Sequence, residues 1–162
     1  MVDVVKYYAD KSILITGATG FMGKVLMEKL LRSCPDIKTM YILVRKKKDQ
    51  PAEQRLRNVV NCKLFEKLLE MNPKVVDKIK VINGDIMEEG LGLSPQHLEE
   101  LRNECQIVFN NAASVSFNLS LKEAVKTNVM GTQKVLALAD TMKKLEVSKC
   151  IYINIYILQY IL

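Results

Sequence analysis

The sequence is poor in the residues that build metal and redox centres. It has one histidine, His97, and four cysteines, Cys34, Cys62, Cys105 and Cys150. The cysteines form no CxxC pair and have no histidine at metal spacing, which excludes a zinc site or a redox dithiol; no metal is expected. Residues 1–11 carry charges and no apolar h-region, so no secretory signal is read. The cysteines are therefore expected to be reduced and mostly buried in a soluble, cytosol-facing protein. There is no Gly/Ser linker and no internal repeat. The uncharged stretch Ile151–Leu162 has only twelve residues, against the roughly 20 that a membrane-spanning helix needs. No transmembrane segment is expected.

What remains is an ordinary globular composition, 49% apolar and 26% charged over 162 residues, which suggests one domain with a core of its own. The net charge of +6 suits a polyanionic ligand such as a nucleotide or coenzyme A, and does not demand nucleic acid. Short apolar runs alternate with helical patterns. That order predicts βαβ units and a doubly wound parallel sheet of about five strands in the order 3-2-1-4-5. The strands are read at 12–16 (SILIT), 39–44 (TMYILV), 79–82 (IKVI), 106–109 (QIVF) and from 150 to 153 (CIYI). SILIT is continuous and rich in β-branched residues, as a strand buried on both faces should be.

The helices are read between those strands. Met22, Val25, Leu26 and Leu30 give one apolar stripe of a helix that stops near Ser33-Cys34-Pro35. A charged helix is predicted over 52–71, carrying Leu56, Val59, Val60, Leu64, Leu68 and Leu69 and ended by Asn72-Pro73. Ser94-Pro95 reads as an N-cap and first-turn proline of a short helix reaching Asn103, and a long helix is predicted over 121–143.

Between the first strand and the first helix stands Thr16-Gly17-Ala18-Thr19-Gly20-Phe21-Met22-Gly23. Gly17 can turn the chain out of the strand, Gly20 lets the backbone approach a pyrophosphate, and Gly23 lets the helix pack closely on the sheet. The helix N-terminus offers free N–H groups to the phosphates. This is the fingerprint of a Rossmann dinucleotide site. A P-loop is excluded, because Ala18 stands where its first glycine is required and Val25 where its Ser or Thr is required.

An NAD site places an acid about 20 residues beyond the glycines. Here the second strand runs into Val44-Arg45-Lys46-Lys47-Lys48. Arg45 suits a 2′-phosphate, and the lysines add favourable charge, so the expected cofactor is NADP(H). No aromatics are interleaved with these charges, which argues against a nucleic-acid surface. Asp85, after the third strand, can accept from the adenine amino group or cap the segment that follows.

Glycine loop, Asn111-Ala112-Ala113-Ser114 and Asn128-Val129-Met130-Gly131-Thr132 together resemble the extended short-chain dehydrogenase/reductases. The run 111–132 (NAASVSFNLSLKEAVKTNVMGT), with YILVR at 41–45 and VINGD at 81–85, resembles the alcohol-forming fatty acyl-CoA reductases. The resemblance implies NADPH-dependent reduction of a long-chain acyl-CoA, through an aldehyde, to a primary alcohol. It implies that Thr16, Gly17, Gly20, Phe21, Met22 and Gly23 line the pyrophosphate and that Arg45 meets the 2′-phosphate. It places Asp85 near adenine, Ala112 and Ala113 beside the ribose and nicotinamide, and Asn128 close to the catalytic relay. For the full-length protein it implies association with a peroxisomal or endoplasmic reticulum membrane.

The same resemblance calls for a serine after the fifth strand and a Tyr-x-x-x-Lys pair on the next helix. Asn154-Ile155-Tyr156-Ile157 stand at the first place, and no lysine follows Lys149. No catalytic residue is therefore assigned. Tyr7 and Lys11 fit the spacing but precede the first strand, at the wrong end of a parallel sheet. His97, in the first turn of its helix, is read as an exposed structural position. The expectation is a truncated chain: an NADP-binding domain over 1–153 and an atypical apolar tail over 154–162. Two further functions stay open, a carrier-protein thioester reductase and a catalytically inert NADP-binding module.

Overall fold

The computed structural model describes residues 3–46, 50–116 and 118–150. It opens with a short helix α1 (Val4–Tyr8), capped by Asp3, that the sequence reading did not anticipate. Then come β1 (Ser12–Thr16), α2 (Phe21–Ser33), β2 (Thr39–Val44), α3 (Ala52–Val60), α4 (Glu66–Met71) and β3 (Ile79–Asn83). The second half holds α5 (Pro95–Glu104), β4 (Cys105–Asn110), α6 (Leu121–Ala124), a π-helical turn (Val125–Met130), α7 (Gly131–Ala139) and β5 (Val147–Cys150).

All four strand pairings are parallel, and the order is β3-β2-β1-β4-β5. This is the predicted doubly wound sheet. All of β1 is buried. Its Ile13 and Ile15 face a core that holds Met27, Leu31, Phe65 and Leu68 from the α2–α4 side. Leu14 faces a second core with Leu101, Val135 and Leu138 from α5 and α7. Alternate residues of one strand thus feed two cores, which is why the strand shows no exposed position.

Three helices differ from the sequence reading, one in its buried face and two in their boundaries. In α2 the buried face is Gly23, Met27, Leu30 and Leu31, while Met22 and Val25 are exposed. A Cβ at Gly23 would lie only 2.2 Å from the Gly17 carbonyl oxygen, so this residue must face the sheet, and it sets the phase of the helix. The helix predicted over 52–71 breaks where Asn61 leaves the helical region and Cys62 is extended. A 3₁₀ turn (Lys63–Phe65) follows, burying Phe65 fully and leaving Leu64 exposed. The helix predicted over 121–143 contains the π turn and stops at Ala139. β5 begins at Val147 rather than 150; the predicted strand residues 151–153, with the tail 154–162 and its Asn154 and Tyr156, lie outside the described residues.

Cys34 and Cys105 are buried, Cys62 and Cys150 half-buried, and all four are free thiols. Burial pushes the Cys105 thiol up to about 11. Among the described residues no helix is long and apolar enough to cross a membrane.

β2, β3 and α5 are tied by one polar cluster. The Tyr41 hydroxyl donates to Glu100 Oε1 at 2.9 Å, and Lys80 Nζ donates to both Glu100 oxygens at 2.6 Å. Burial alone would raise the Glu100 carboxyl, but Lys80 and then Tyr41 outweigh it and hold it below its ordinary value of 4.5. A depressed carboxyl stabilises the fold above the unfolded-state value and loses that contribution as pH falls through the folded one. Thermal stability should therefore fall below pH 4.5, with a shallower acid limb in Glu100→Gln. Superimposable acid limbs in the two proteins would contradict this assignment. Gly23→Ala should destabilise the fold by about 1–3 kcal/mol in denaturant titrations, since the neighbours it meets are backbone and cannot rotate away.

Candidate functional site

The site lies at the carboxyl ends of β1, β2 and β4, where doubly wound sheets bind ligands. β1 ends at Thr16, and Gly17 turns the chain with φ +65, a left-handed conformation that glycine adopts without strain. A Cβ there would also fall 2.5 Å from the Asn111 carbonyl oxygen, so the glycine loop and the end of β4 abut through backbone. The Gly20 N–H donates to the Gly17 carbonyl at 3.0 Å, closing the turn. Gly20 is the N-cap of α2; no side chain caps this terminus and no acid stands in its first turn. Its free N–H groups and partial positive charge are left for an anion. Phe21, 79% exposed, and Met22, 39% exposed, turn their side chains outward. Only their backbone is available to a ligand in the loop.

Arg45 follows β2 and is exposed. Arg55, which the sequence reading did not single out, joins it from α3. Its Nη1 donates to the Arg45 carbonyl at 2.7 Å and its Nη2 to Thr19 Oγ1 in the glycine loop at 2.9 Å. Burial, then the charge of Arg45, lowers the Arg55 pKa. Among the described residues, neither guanidinium has a carboxylate within ion-pair distance. The signal was present in sequence: a fixed cation at the fourth position of a helix opposes the helix dipole. Lys47 and Lys48 lie outside the described residues.

Asp85 caps its own turn: Oδ1 accepts from the Met87 N–H at 2.9 Å. The capping reading is thus realised, and its second oxygen makes no hydrogen bond among the described residues. Ala112 and Ala113 are half-buried beside the Gly17 turn. Asn128 lies in the π turn, and its side chain clasps both backbone groups of one residue, Ser114, in the β4 exit. Oδ1 accepts from the Ser114 N–H at 2.8 Å, and Nδ2 donates to the Ser114 carbonyl at 3.1 Å. The Asn111 Oδ1 atom is buried with no hydrogen-bond partner among the described residues, an acceptor left open at the junction of the two loops.

The structure brings Thr16, Gly17, Gly20, Ala112, Ala113 and Asn128 to one end of the sheet. The Tyr7–Lys11 pair is at the other. Lys11 Nζ lies 2.5 Å from Glu146, just before β5, and 5.1 Å from the Tyr7 ring centroid. This pair pins α1 to the amino-terminal edge. His97 is half-buried rather than exposed, in the first turn of α5, with its N–H on Ser94 Oγ at 3.2 Å.

Comparison with known proteins agrees with this geometry. Residues 15–154 match an NAD-binding family described as male sterility protein. The chain is 48% identical over 147 residues to fatty acyl-CoA reductase 1 of Gallus gallus and 45% identical to that of Homo sapiens, covering 91% of this chain in each case. It spans 28% of the length of those relatives. Among solved structures, the terminal R domain of the myxalamid PKS-NRPS biosynthetic pathway superposes with a TM-score of 0.69. That match has 34% identity and covers 88% of this chain and 34% of that one. With the glycine loop, the arginine pair and the Asn128 clasp all at one sheet end, the chain belongs to the NAD-binding male sterility protein family.

Proposed function

We propose that this chain is the NADP(H)-binding part of an alcohol-forming fatty acyl-CoA reductase, with the cofactor domain spanning 1–153. The observation that carries the cofactor choice is the pair Arg45 and Arg55 on the rim of the glycine loop, with no described carboxylate between them. An NAD site needs an acid at this place; a 2′-phosphate needs guanidinium. The residues fit a dinucleotide: a cradle that a Cβ would fill at Gly17, an uncapped helix N-terminus, and an unpartnered buried acceptor on Asn111.

The backbone of Gly17, Gly20, Phe21, Met22 and Gly23 would hold the pyrophosphate, with Thr16 fixing the strand end beneath it. Asp85 keeps one carboxylate oxygen for the adenine amino group. Ala112 and Ala113 form a small-residue floor for the ribose and nicotinamide, and Asn128 secures that floor through Ser114. When bound, the cofactor supplies hydride, one for thioester to aldehyde with release of free coenzyme A and one for aldehyde to alcohol. The higher identity to fatty acyl-CoA reductases than to the R domain favours an acyl-CoA over a carrier-protein thioester.

NADPH should bind more tightly than NADH in fluorescence titrations. Arg45→Ala should weaken NADPH by about 1.5–3 kcal/mol and leave NADH unchanged. Arg55→Ala should weaken both, because it also braces the glycine loop through Thr19. Equal wild-type affinities for the two cofactors would end the NADP(H) reading.

The 162 residues hold no Tyr-x-x-x-Lys at the site end of the sheet, and a positioned proton donor is worth about 10²–10⁴-fold. Expressed alone, they should bind NADPH without oxidising it when a long-chain acyl-CoA is added. Grafted in place of the matching segment of the Gallus gallus relative, they should sustain fatty alcohol formation, followed by mass spectrometry. A well-folded, NADPH-binding graft that makes no alcohol would refute the proposed activity.

A further inference from the structure

We infer that Thr132 is a positioning residue for the nicotinamide end of the site, holding the π turn that carries Asn128 to the same buried amide that anchors Thr16 at the glycine loop. This rests on the cofactor reading above.

Three buried polar side chains, Thr16, Asn110 and Thr132, form one continuous hydrogen-bonded chain across the sheet end that finishes on the Asn128 backbone carbonyl. Hydrogen-bond accounting fixes every proton in it. Thr16 Oγ1 accepts two backbone N–H groups, from Asn111 at 3.1 Å and Ala112 at 3.0 Å. Its own proton must therefore go to Asn110 Oδ1, 2.5 Å away. That orients the Asn110 amide with Nδ2 toward Thr132 Oγ1 at 3.0 Å, and toward Cys150 Sγ at 3.9 Å. Thr132 must accept there, so its proton goes to the Asn128 carbonyl at 2.7 Å. No member can turn round without stranding a buried group.

The local structure explains why a hydroxyl is needed at this position. A π turn widens the helix by one residue and disturbs the ladder of i→i−4 bonds around it. Thr132 stands in the first turn of α7, directly after the π turn, and its side chain takes the Asn128 carbonyl. The backbone of Asn128 is thereby fixed from within the core, while its side chain grips Ser114 on the loop that carries Ala112 and Ala113. The apolar isostere valine would fill the same space and supply neither bond. Asn110 Nδ2 would keep only its long contact to Cys150 Sγ, the Asn128 carbonyl would lose its side-chain donor, and the π turn would lose this tie to β4.

The test compares two ligands on the 162-residue chain: NADPH, and adenosine 2′,5′-bisphosphate, which has the 2′-phosphate half and no nicotinamide. Thr132→Val should lose about tenfold in NADPH affinity while keeping the bisphosphate within about twofold, and Thr132→Ser should recover NADPH binding. NADPH binding by Thr132→Val equal to wild type, equal losses for both ligands, or a Thr132→Ser as weak as Thr132→Val would each overturn the inference. A wild-type chain that binds neither ligand would defeat the cofactor reading and the inference with it. Should Thr132→Val fail to fold, amide hydrogen exchange on the wild type decides. NADPH should slow exchange at Ser114 and over 125–132, and the bisphosphate should not; equal slowing, or none with NADPH, overturns the inference.

Discussion

The Gly17 carbonyl oxygen and the backbone of α2 at Gly23 approach so closely that no side-chain carbon fits between them. That contact sets the rotation of α2, and so decides that Met27, Leu30 and Leu31 enter the core and Phe21 faces water. It also aims the helix N-terminus across the end of β1. On its other side Gly17 lies against Asn111, so the same turn fixes how far the β4 exit stands from the glycine loop. Both walls of the site are positioned by backbone contacts, which do not rearrange as side chains do.

Around this rigid centre the polar groups divide by sheet end. At the amino-terminal edge, Lys11–Glu146 and Lys38–Glu104 are cation–carboxylate pairs at the surface. At the carboxyl end, the arginines have no described carboxylate partner and the buried groups are neutral hydroxyls and amides. A surface made of matched pairs serves the fold. One that keeps unmatched guanidinium beside an uncapped helix is arranged for an anion that the protein itself does not supply.

The sheet and its order were legible because each depends on local pattern. SILIT has to be a doubly buried strand, and the glycines that follow have to turn and pack closely. Arg45 was legible by its place at a strand end. Arg55 carried only the faint signal of a cation early in a helix, because its role depends on α3 folding back so that the side chain reaches Thr19, 36 residues earlier in sequence. The π turn was invisible for a related reason. Residues 121–143 have ordinary helical periodicity, and the turn's tie to the sheet is tertiary: Asn110 Nδ2, 22 positions earlier, donates to Thr132 Oγ1. The phase of α2 was misread because apolar periodicity cannot weigh the one glycine that must face inward.

The strand order has a consequence for how the chain is made. β1 sits in the middle of the sheet, yet its neighbour on one side, β4, follows it by some ninety residues, with Thr16 meeting Asn110 at a separation of 94. During synthesis β1, β2 and β3 emerge together and can zip into a three-stranded half. One side of β1 then stays bare until the ribosome has delivered Cys105–Asn110. Closing a gap of that length is slow compared with local pairing. A nascent chain therefore presents one edge of its central strand to solvent for the time taken to translate its second half.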